Sequence, residues 1–511
     1  MGKTTKAIST VTIMLLLSKS LGFVREIIIA AYYGATYQTD AYNMALRIIE
    51  LLIIVLAAGA STVIIPMYHE KLVENGKSSA DLFVNSIITI TTVLCTAVTI
   101  LCIVAAPILV KAVAPGFSSD VAELTVNITR IMLVSVIFTN LSGFLCSVAK
   151  LNDKFAITVI VGYPASIITI IMTVFFAKYI GIYALVVSST LFALIEVPIL
   201  IVSLKNIFKL KVTFYIPKSD LIKLIKLSIP IYIGAGLWEV SVVIEKILAS
   251  GLSEGSISAM SYASKLRELP NSILTTVIIT VVFPMLSKNA ADKDYSSLRT
   301  SVSNAISYLF IILLPVIAIC VFYSKEITKI IFERGAFTAD VTALTSTLFA
   351  ASIISLIFSV GLSVVSNAFY SIQDMKTPQI SKAIAVACNI IAAFLLVKRY
   401  NAIGLMIASS GAIFVNFLIL FIQFWRRLGG LNIMKFVKDI IKCAVSMICM
   451  IPFFYLFEIL RNHLPLFIFV ACSTIVSFCI YGLLLYLLKV ELFQNALRQI
   501  NGIIRKKIQK M

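Results

Sequence analysis

Runs of about 20 apolar residues recur from end to end of this chain, and each is long enough to cross a hydrocarbon core of roughly 30 Å. Fourteen such stretches fall near 8–33, 40–67, 82–110, 124–149, 156–177, 181–204, 221–249, 257–283, 302–323, 344–370, 379–397, 402–425, 436–458 and 464–488. The connections between them are short. A chain of 511 residues that is 60% hydrophobic and only 13% charged leaves no segment for a separate water-soluble domain. The expected fold is an all-α polytopic membrane protein of about 14 transmembrane helices. A soluble enzyme is excluded.

The formal net charge of +19 would suggest nucleic acid in a soluble protein, but here the loops account for it. Of the 43 Lys and Arg, 28 fall in the loops on one side, including Lys71, Lys77, the lysines of 205–226 and the basic end from Lys489. Eight fall on the other side, among them Lys111, Lys178, Lys325 and Arg461. That bias places both termini in the cytoplasm and gives no reason to expect a nucleic-acid partner. Two readings of the basic tail stand, contact with anionic headgroups and simple solvation. Lys3 and Lys6 precede an apolar run interrupted by Arg25 and Glu26, with no small-residue cleavage site, so the run is expected to be a first span. The nine cysteines include no CxxC pair, and His69 and His463 lie far apart. No metal site, cofactor or His-based catalytic centre is expected. Cys95/Cys102 and Cys472/Cys479 are read as helix-packing residues.

Laid on itself at an offset of about 220, the chain repeats. Thr62-Val-Ile-Ile-Pro66-Met67 returns as Thr280-Val-Val-Phe-Pro284-Met285, and Leu46-Arg47 as Leu266-Arg267. Phe117 to Thr125 returns as Phe337 to Thr345, and Lys178 and Leu185 return as Lys398 and Leu405. Each unit holds six spans, an even number, so the copies insert with the same orientation, a transporter signature with the path between the halves. The expected division is a six-helix lobe over 1–204, a cytoplasmic linker over 205–220 and a second six-helix lobe over 221–425. Two extra helices follow over 436–488, and then a basic cytoplasmic tail over 489–511.

Ionisable side chains inside spans cost several kcal/mol unless they face protein or water, so each is a candidate for function. In the first span Ser18, Lys19, Gly22, Arg25 and Glu26 share an arc of about 120°. Lys19 and Arg25 are separated by about 9 Å along the axis, a spacing that could grip both ends of a diphosphate. Asp40, Asn43, Arg47 and Glu50 form a stripe on the second span, and Ser258, Ser261, Lys265 and Glu268 on the eighth, with Arg267 pointing away. Glu239, Glu245 and Lys246 lie on the seventh. The competing reading is mutual neutralisation, since seven span cations meet six span acids. Placement in the first two spans of each repeat favours a cavity lining, and several Lys and Arg suit an anionic headgroup.

These residues also carry a resemblance. Ser18-Lys-Ser-Leu-Gly22-Phe-Val-Arg25-Glu26, Gly34-Ala and Thr39-Asp40-Ala41 resemble the opening of the MurJ/MviN lipid II flippases, of the multidrug/oligosaccharidyl-lipid/polysaccharide exporter superfamily. Ala114-Pro-Gly-Phe117, Tyr262 to Pro270, Phe332-Glu-Arg-Gly335-Ala-Phe-Thr338 and Gln373 to Pro378 are similar to that family as well, and the likeness runs from about 8 to 425. The resemblance implies that Lys19, Arg25 and Lys265 stand at cavity positions where the family carries cations that hold the lipid diphosphate. It implies that Asp40 and Glu268 match its acidic positions, and that the last two spans form a groove for the polyprenyl tail. One departure is plain: the family commonly has two Arg after Leu51-Leu52, where this chain has Ile53 and Ile54, and Ala58 replaces an acid.

The function implied is a flippase carrying lipid II, an undecaprenyl-diphosphate-linked peptidoglycan precursor, from inner to outer leaflet of the bacterial cytoplasmic membrane for cell-wall synthesis. The substrate-binding candidates are Lys19, Arg25, Asp40, Arg47, Lys265 and Glu268. The alternative is a flippase for another undecaprenyl-linked oligosaccharide, such as a capsule, exopolysaccharide or teichoic-type unit, kept open by the missing Arg pair. A membrane glycan polymerase or ligase would need outward catalytic loops, and the longest here is near 324–343. No P-loop is present, so coupling energy is expected from an ion gradient, such as a monovalent cation, or from the membrane potential. The chain is expected to work as a monomer.

Overall fold

The computed structural model describes residues 2–429, 433–459, 461–495 and 497–498, with side chains left out at 2–12, 57–62, 230–231, 233, 235, 433–436 and 462. The described residues are almost wholly helical and contain no strand, as the apolar runs dictate: in lipid, backbone groups must be satisfied within the segment. Ten of the described helices are long and apolar enough to cross a membrane. Most of the expected basic tail, from 499 on, lies outside the described residues, as do the side chains of Lys3 and Lys6.

The chain divides into two compact units, Met1–Ser261 with Arg334–Val341, and Tyr262–Glu333 with Thr342–Met511. In the first, α1 (Gly2–Tyr33) is followed by α2 (Tyr37–Ile53), a π segment (Ile54–Ala58) and α3 (Gly59–Val104). Then come α4 (Ala106–Val113), α5 (Ser119–Leu151), α6 (Phe155–Ile160), α7 (Tyr163–Ile180), α8 (Tyr183–Leu204) and α9 (Lys218–Ala249). Helix α5 is the hub, packed against α8, α2 and α3, while α9 lies along α3 and thus groups with the first unit. One apolar core joins Ile64, Met67, Phe83, Phe144, Leu145 and Leu200. Another joins Ile29, Ala45, Ile128, Leu133 and Leu185, with Cys95 and Cys102 inside it as packing residues.

The unit boundary falls within α10 (Ser256–Val277). The second unit continues through a π segment (Ile278–Val282), α11 (Phe283–Ala291), α12 (Tyr295–Phe322) and α13 (Ser324–Phe332). After 334–341 follow α14 (Ala339–Ile353), α15 (Leu356–Ser371) and α16 (Lys376–Leu428), then α17 (Ile433–Glu458) and α18 (Leu466–Leu487). Helix α16 absorbs two of the fourteen apolar stretches, because Asn401 takes φ 49 and turns the chain without a loop. The π segment of this unit ends two residues before Pro284, which has no N–H for the carbonyl four residues back. Each unit therefore carries one π segment near its repeated Thr-Val…Pro-Met string. Helices α17 and α18 dock on α12 and α13 through Tyr323, Phe454 and Phe469. Within that contact the buried Tyr323 hydroxyl meets Ser473 Oγ at 2.5 Å, and beside it the exposed Arg461 pairs with Glu326 at 2.7 Å.

Candidate functional site

In the first unit the span charges are partly paired. Arg25 Nη2 meets Glu26 Oε1 at 2.6 Å, and the Arg25 Nε is buried with no hydrogen-bond partner among the described residues. Arg47 Nη1 meets Glu50 Oε2 at 2.7 Å, one turn on, and Glu239 Oε2 of α9 at 3.7 Å. Lys19 is half-buried and has no ion-pair partner among the described residues. The buried Lys246 donates to Ile257 O at 3.4 Å and Ser261 Oγ at 3.3 Å. The guanidinium groups keep further N–H donors beyond these pairs, so they are charge-balanced yet still able to grip an oxyanion.

Asp40 is placed differently. It is 4% exposed, and its carboxylate accepts from the Gly255 N–H at 2.7 Å, the Ser258 N–H at 2.7 Å and the Ser258 hydroxyl at 2.6 Å. It therefore caps the start of α10, where orphan N–H groups and the positive end of the helix dipole favour a carboxylate. Asn43 reinforces the contact with Ser258 at 3.2 Å, and Glu254 accepts from the Tyr37 N–H at 3.0 Å.

Around this cap the backbone is packed to contact. A Cβ on Gly335 (φ +59) would lie 2.2 Å from Ala31 O, and one on Gly255 (φ +81) 2.4 Å from Ala35 O. The neighbouring Ala336 N–H donates to Ala31 O at 2.7 Å. Only glycine combines a left-handed φ with that approach. Two strings that carried the resemblance, around Gly34 and around Gly335, thus meet within the first unit. Ser258 was visible in the sequence only as a member of the eighth-span stripe, and Gly255 and the glycine contacts were not read from it at all.

In the second unit Lys265 and Glu268 are both exposed and stand three residues apart on α10. Glu268 Oε2 accepts from Asn271 at 3.2 Å. Arg267 leaves that stripe, as its spacing required, and donates to Ser355 Oγ of α15 at 3.2 Å. The eighth-span stripe is split by its partners: Ser258 goes to Asp40 and Ser261 to Lys246. Ile53 ends α2 and Ile54 opens the first π segment, so the apolar replacements sit where the helix changes its winding.

The chain matches the family model described as lipid II flippase MurJ over residues 29–475. A probable lipid II flippase MurJ of Rickettsia prowazekii (strain Madrid E) is 28% identical over 493 residues, covering 94% of this chain and 97% of the relative. The lipid II flippase MurJ of Burkholderia cenocepacia is 25% identical over 433 residues, covering 83% and 84%. Among solved structures, a lipid II flippase MurJ in an inward closed conformation superposes with a TM-score of 0.80 at 24% identity, covering 93% of this chain and 98% of that one. An inward-facing multidrug transporter of the MATE family and MOP superfamily follows at 0.68 and 14%, covering 80% and 94%. Those two likenesses establish the fold. With the family model matched over most of its length, this multi-pass membrane chain belongs to the lipid II flippase MurJ family.

Proposed function

We propose that this chain is a transporter that moves lipid II from the inner to the outer leaflet of the bacterial cytoplasmic membrane by alternating access, supplying cell-wall synthesis. The family match over 29–475 carries this reading, and the relatives named as lipid II flippases extend over nearly the whole chain. The 28-to-8 distribution of loop cations supports an orientation with both termini in the cytoplasm. In that orientation the Asp40–Ser258 cap lies toward the outside and acts as an outer latch.

The head-group candidates in this reading are Lys19, Arg25, Arg47, Lys265 and Glu268. Arg25 and Arg47 already hold carboxylates. A diphosphate would exchange with those partners, which costs less than taking a bare cation out of water. Asp40 has its oxygens committed to α10 and becomes available only when that helix end moves. Lys at 19 and 265 gives point-charge attraction in place of a bidentate fork. The repeats over 1–204 and 221–425 remain the proposed lobes, while α9 and the start of α10 group with the first compact unit. The chain works as a monomer and draws on a monovalent-cation gradient or on the membrane potential, since no ATP-binding loop is present.

The test is rescue of growth in a bacterium depleted of its own lipid II flippase. The wild-type chain should restore growth, and Arg25→Glu should abolish rescue while the protein still inserts and accumulates. Failed rescue by well-expressed wild type, with recovery of polymer in a strain lacking another undecaprenyl-linked glycan flippase, would assign a different oligosaccharide.

A further inference from the structure

The stretch of α3 that follows its non-helical Gly76 carries a basic cleft that the transport reading leaves unused. Its volume is about 450 Å³, and its wall includes Lys77, Asp81, Asn85, Lys205, Lys209 and Lys211. The cleft is held in shape by hydrogen bonds. Asn85, 3% exposed, donates its amide N–H to Lys209 O at 3.1 Å and accepts from the Lys211 N–H at 2.8 Å. The Thr213 N–H donates to Thr89 Oγ1 at 3.2 Å. These bonds staple the connection 205–217 along α3 and gather its lysines. Among the described residues none of the four ammonium groups has an ion-pair partner, and the one acid, Asp81, accepts from the Tyr68 hydroxyl at 3.0 Å.

Farther along α3 the wall becomes apolar. A groove of about 270 Å³ is lined by Ile87, Ile90 and Leu94 of α3, Leu224 and Ile225 of α9, and Ile216. Asn85 of the cleft is two residues from Ile87 of the groove, and Thr213 is three from Ile216, so the cavities adjoin on both walls. From Asn85 to Leu94 the helix rises about 14 Å, close to one leaflet of a core about 30 Å thick. Phe214 and Tyr215, 64% and 68% exposed, stand at the junction, where aromatic side chains favour the headgroup level.

We propose that cleft and groove together hold one anionic glycerophospholipid of the cytoplasmic leaflet, its phosphate on the lysines and an acyl chain along α3 and α9. The side assignment rests on the orientation proposed above. Four cations against one carboxylate select a net negative head and repel one that carries a choline. A groove that runs about 10 Å along α3, from Ile87 to Leu94, takes the upper part of an acyl chain, whereas a polyprenyl tail is several times too long. Val55 and Leu56 of the first π segment also border the groove, so an occupant would buttress the least regular backbone of the unit.

Native mass spectrometry of the full chain in detergent tests this, with phosphatidylglycerol and phosphatidylcholine offered at equal concentration. Phosphatidylglycerol should be retained and phosphatidylcholine washed away. Replacing three lysines together (Lys205→Gln, Lys209→Gln, Lys211→Gln) should weaken retention about 100-fold, at roughly fivefold per lysine. Ile225→Trp, which fills the groove and leaves the lysines in place, should also release the lipid. Equal retention of the two lipids, or no change in either variant at an unaltered melting temperature, overturns the proposal. So does lipid II bound in place of phosphatidylglycerol and lost in the same variants, because the occupant is then the cargo. Retention is read without transport. A chain that flips nothing yet keeps phosphatidylglycerol upholds the inference, and one that flips lipid II yet holds no phosphatidylglycerol refutes it alone.

Discussion

The two ends of the first unit are fastened by different physics. Around Asp40 the fastening is buried: one carboxylate takes three hydrogen bonds at 2.6 to 2.7 Å, and backbones touch where only glycine fits. At the junction of α3 with α9 it is made of ion pairs, Lys71 with Asp220 at 3.0 Å and Glu70 with the exposed Lys223. The exposed Glu70–Lys223 pair is worth about 0–1 kcal/mol, whereas a buried charge stripped of its partners, at Asp40 or at Asp220, costs about 1–3 kcal/mol or more. A transporter in alternating access needs closures that can be exchanged. The contrast teaches that the Asp40 end rests on a buried cap, whereas the other end joins a buried ion pair to an exposed, exchangeable one.

The largest effect should come from Gly335→Val, whose side chain has nowhere to go against Ala31 O. Growth rescue should be lost. Gly76→Val is the matched control, since it shares a positive φ (+75) but has open space around it, and should cost about 1–3 kcal/mol of stability with rescue intact. Equal damage from both would show that φ, and not close packing, governs the Asp40 end. Next, Asp40→Ala leaves the Gly255 and Ser258 donors unsatisfied, at about 3 kcal/mol. A cysteine probe at the buried Ala41 should then label about 100-fold faster; unchanged labelling would remove the latch. Lys223→Ala should shift stability by under about 1 kcal/mol, and high salt should erase even that difference. A large, salt-independent loss would make the two ends alike. Asp294 gives the smallest effect and the exposed counterpart of the Asp40 cap. The Ser297 hydroxyl, the Ser297 amide and the Ser296 hydroxyl bond its carboxylate at the start of α12, pulling its pKa from the ordinary 3.8 down to about 2. Its contribution is therefore full above pH 3.8 and lost as pH falls toward about 2. Asp294→Asn should flatten the melting temperature in that window alone.

Hydropathy disclosed the helices because each span satisfies its own backbone and needs no distant partner. Of the strings that repeat, Pro66 lies inside α3 and Pro284 in the first turn of α11, each a short way past the start of a π segment. Arg267 also left its stripe as the 100° spacing required. Other pairings were hidden because a helical wheel shows a face and not what meets it. Asp40 finds Ser258 across 218 residues, and Ser261, on the same stripe, goes to Lys246 instead. Arg25 pairs with the adjacent Glu26, a spacing that ordinarily keeps side chains apart. The lysine cleft depends on Asn85 stapling a loop more than 120 residues away, which composition registers only as positive charge.

The corner at Asn401 has a consequence for chain length. The two arms of α16 are joined with no spare residue, and behind the turn a Cβ on Gly404 would meet Leu396 O at 2.4 Å. The arms are therefore locked in rotational phase. Inserting one residue after Asn401 would turn the second arm by about 100° and swing Asn416 away from its buried bond to Ser381 at 2.7 Å. An insertion of one alanine there should cost more than the same insertion in the connection 205–217, although neither changes a single side chain.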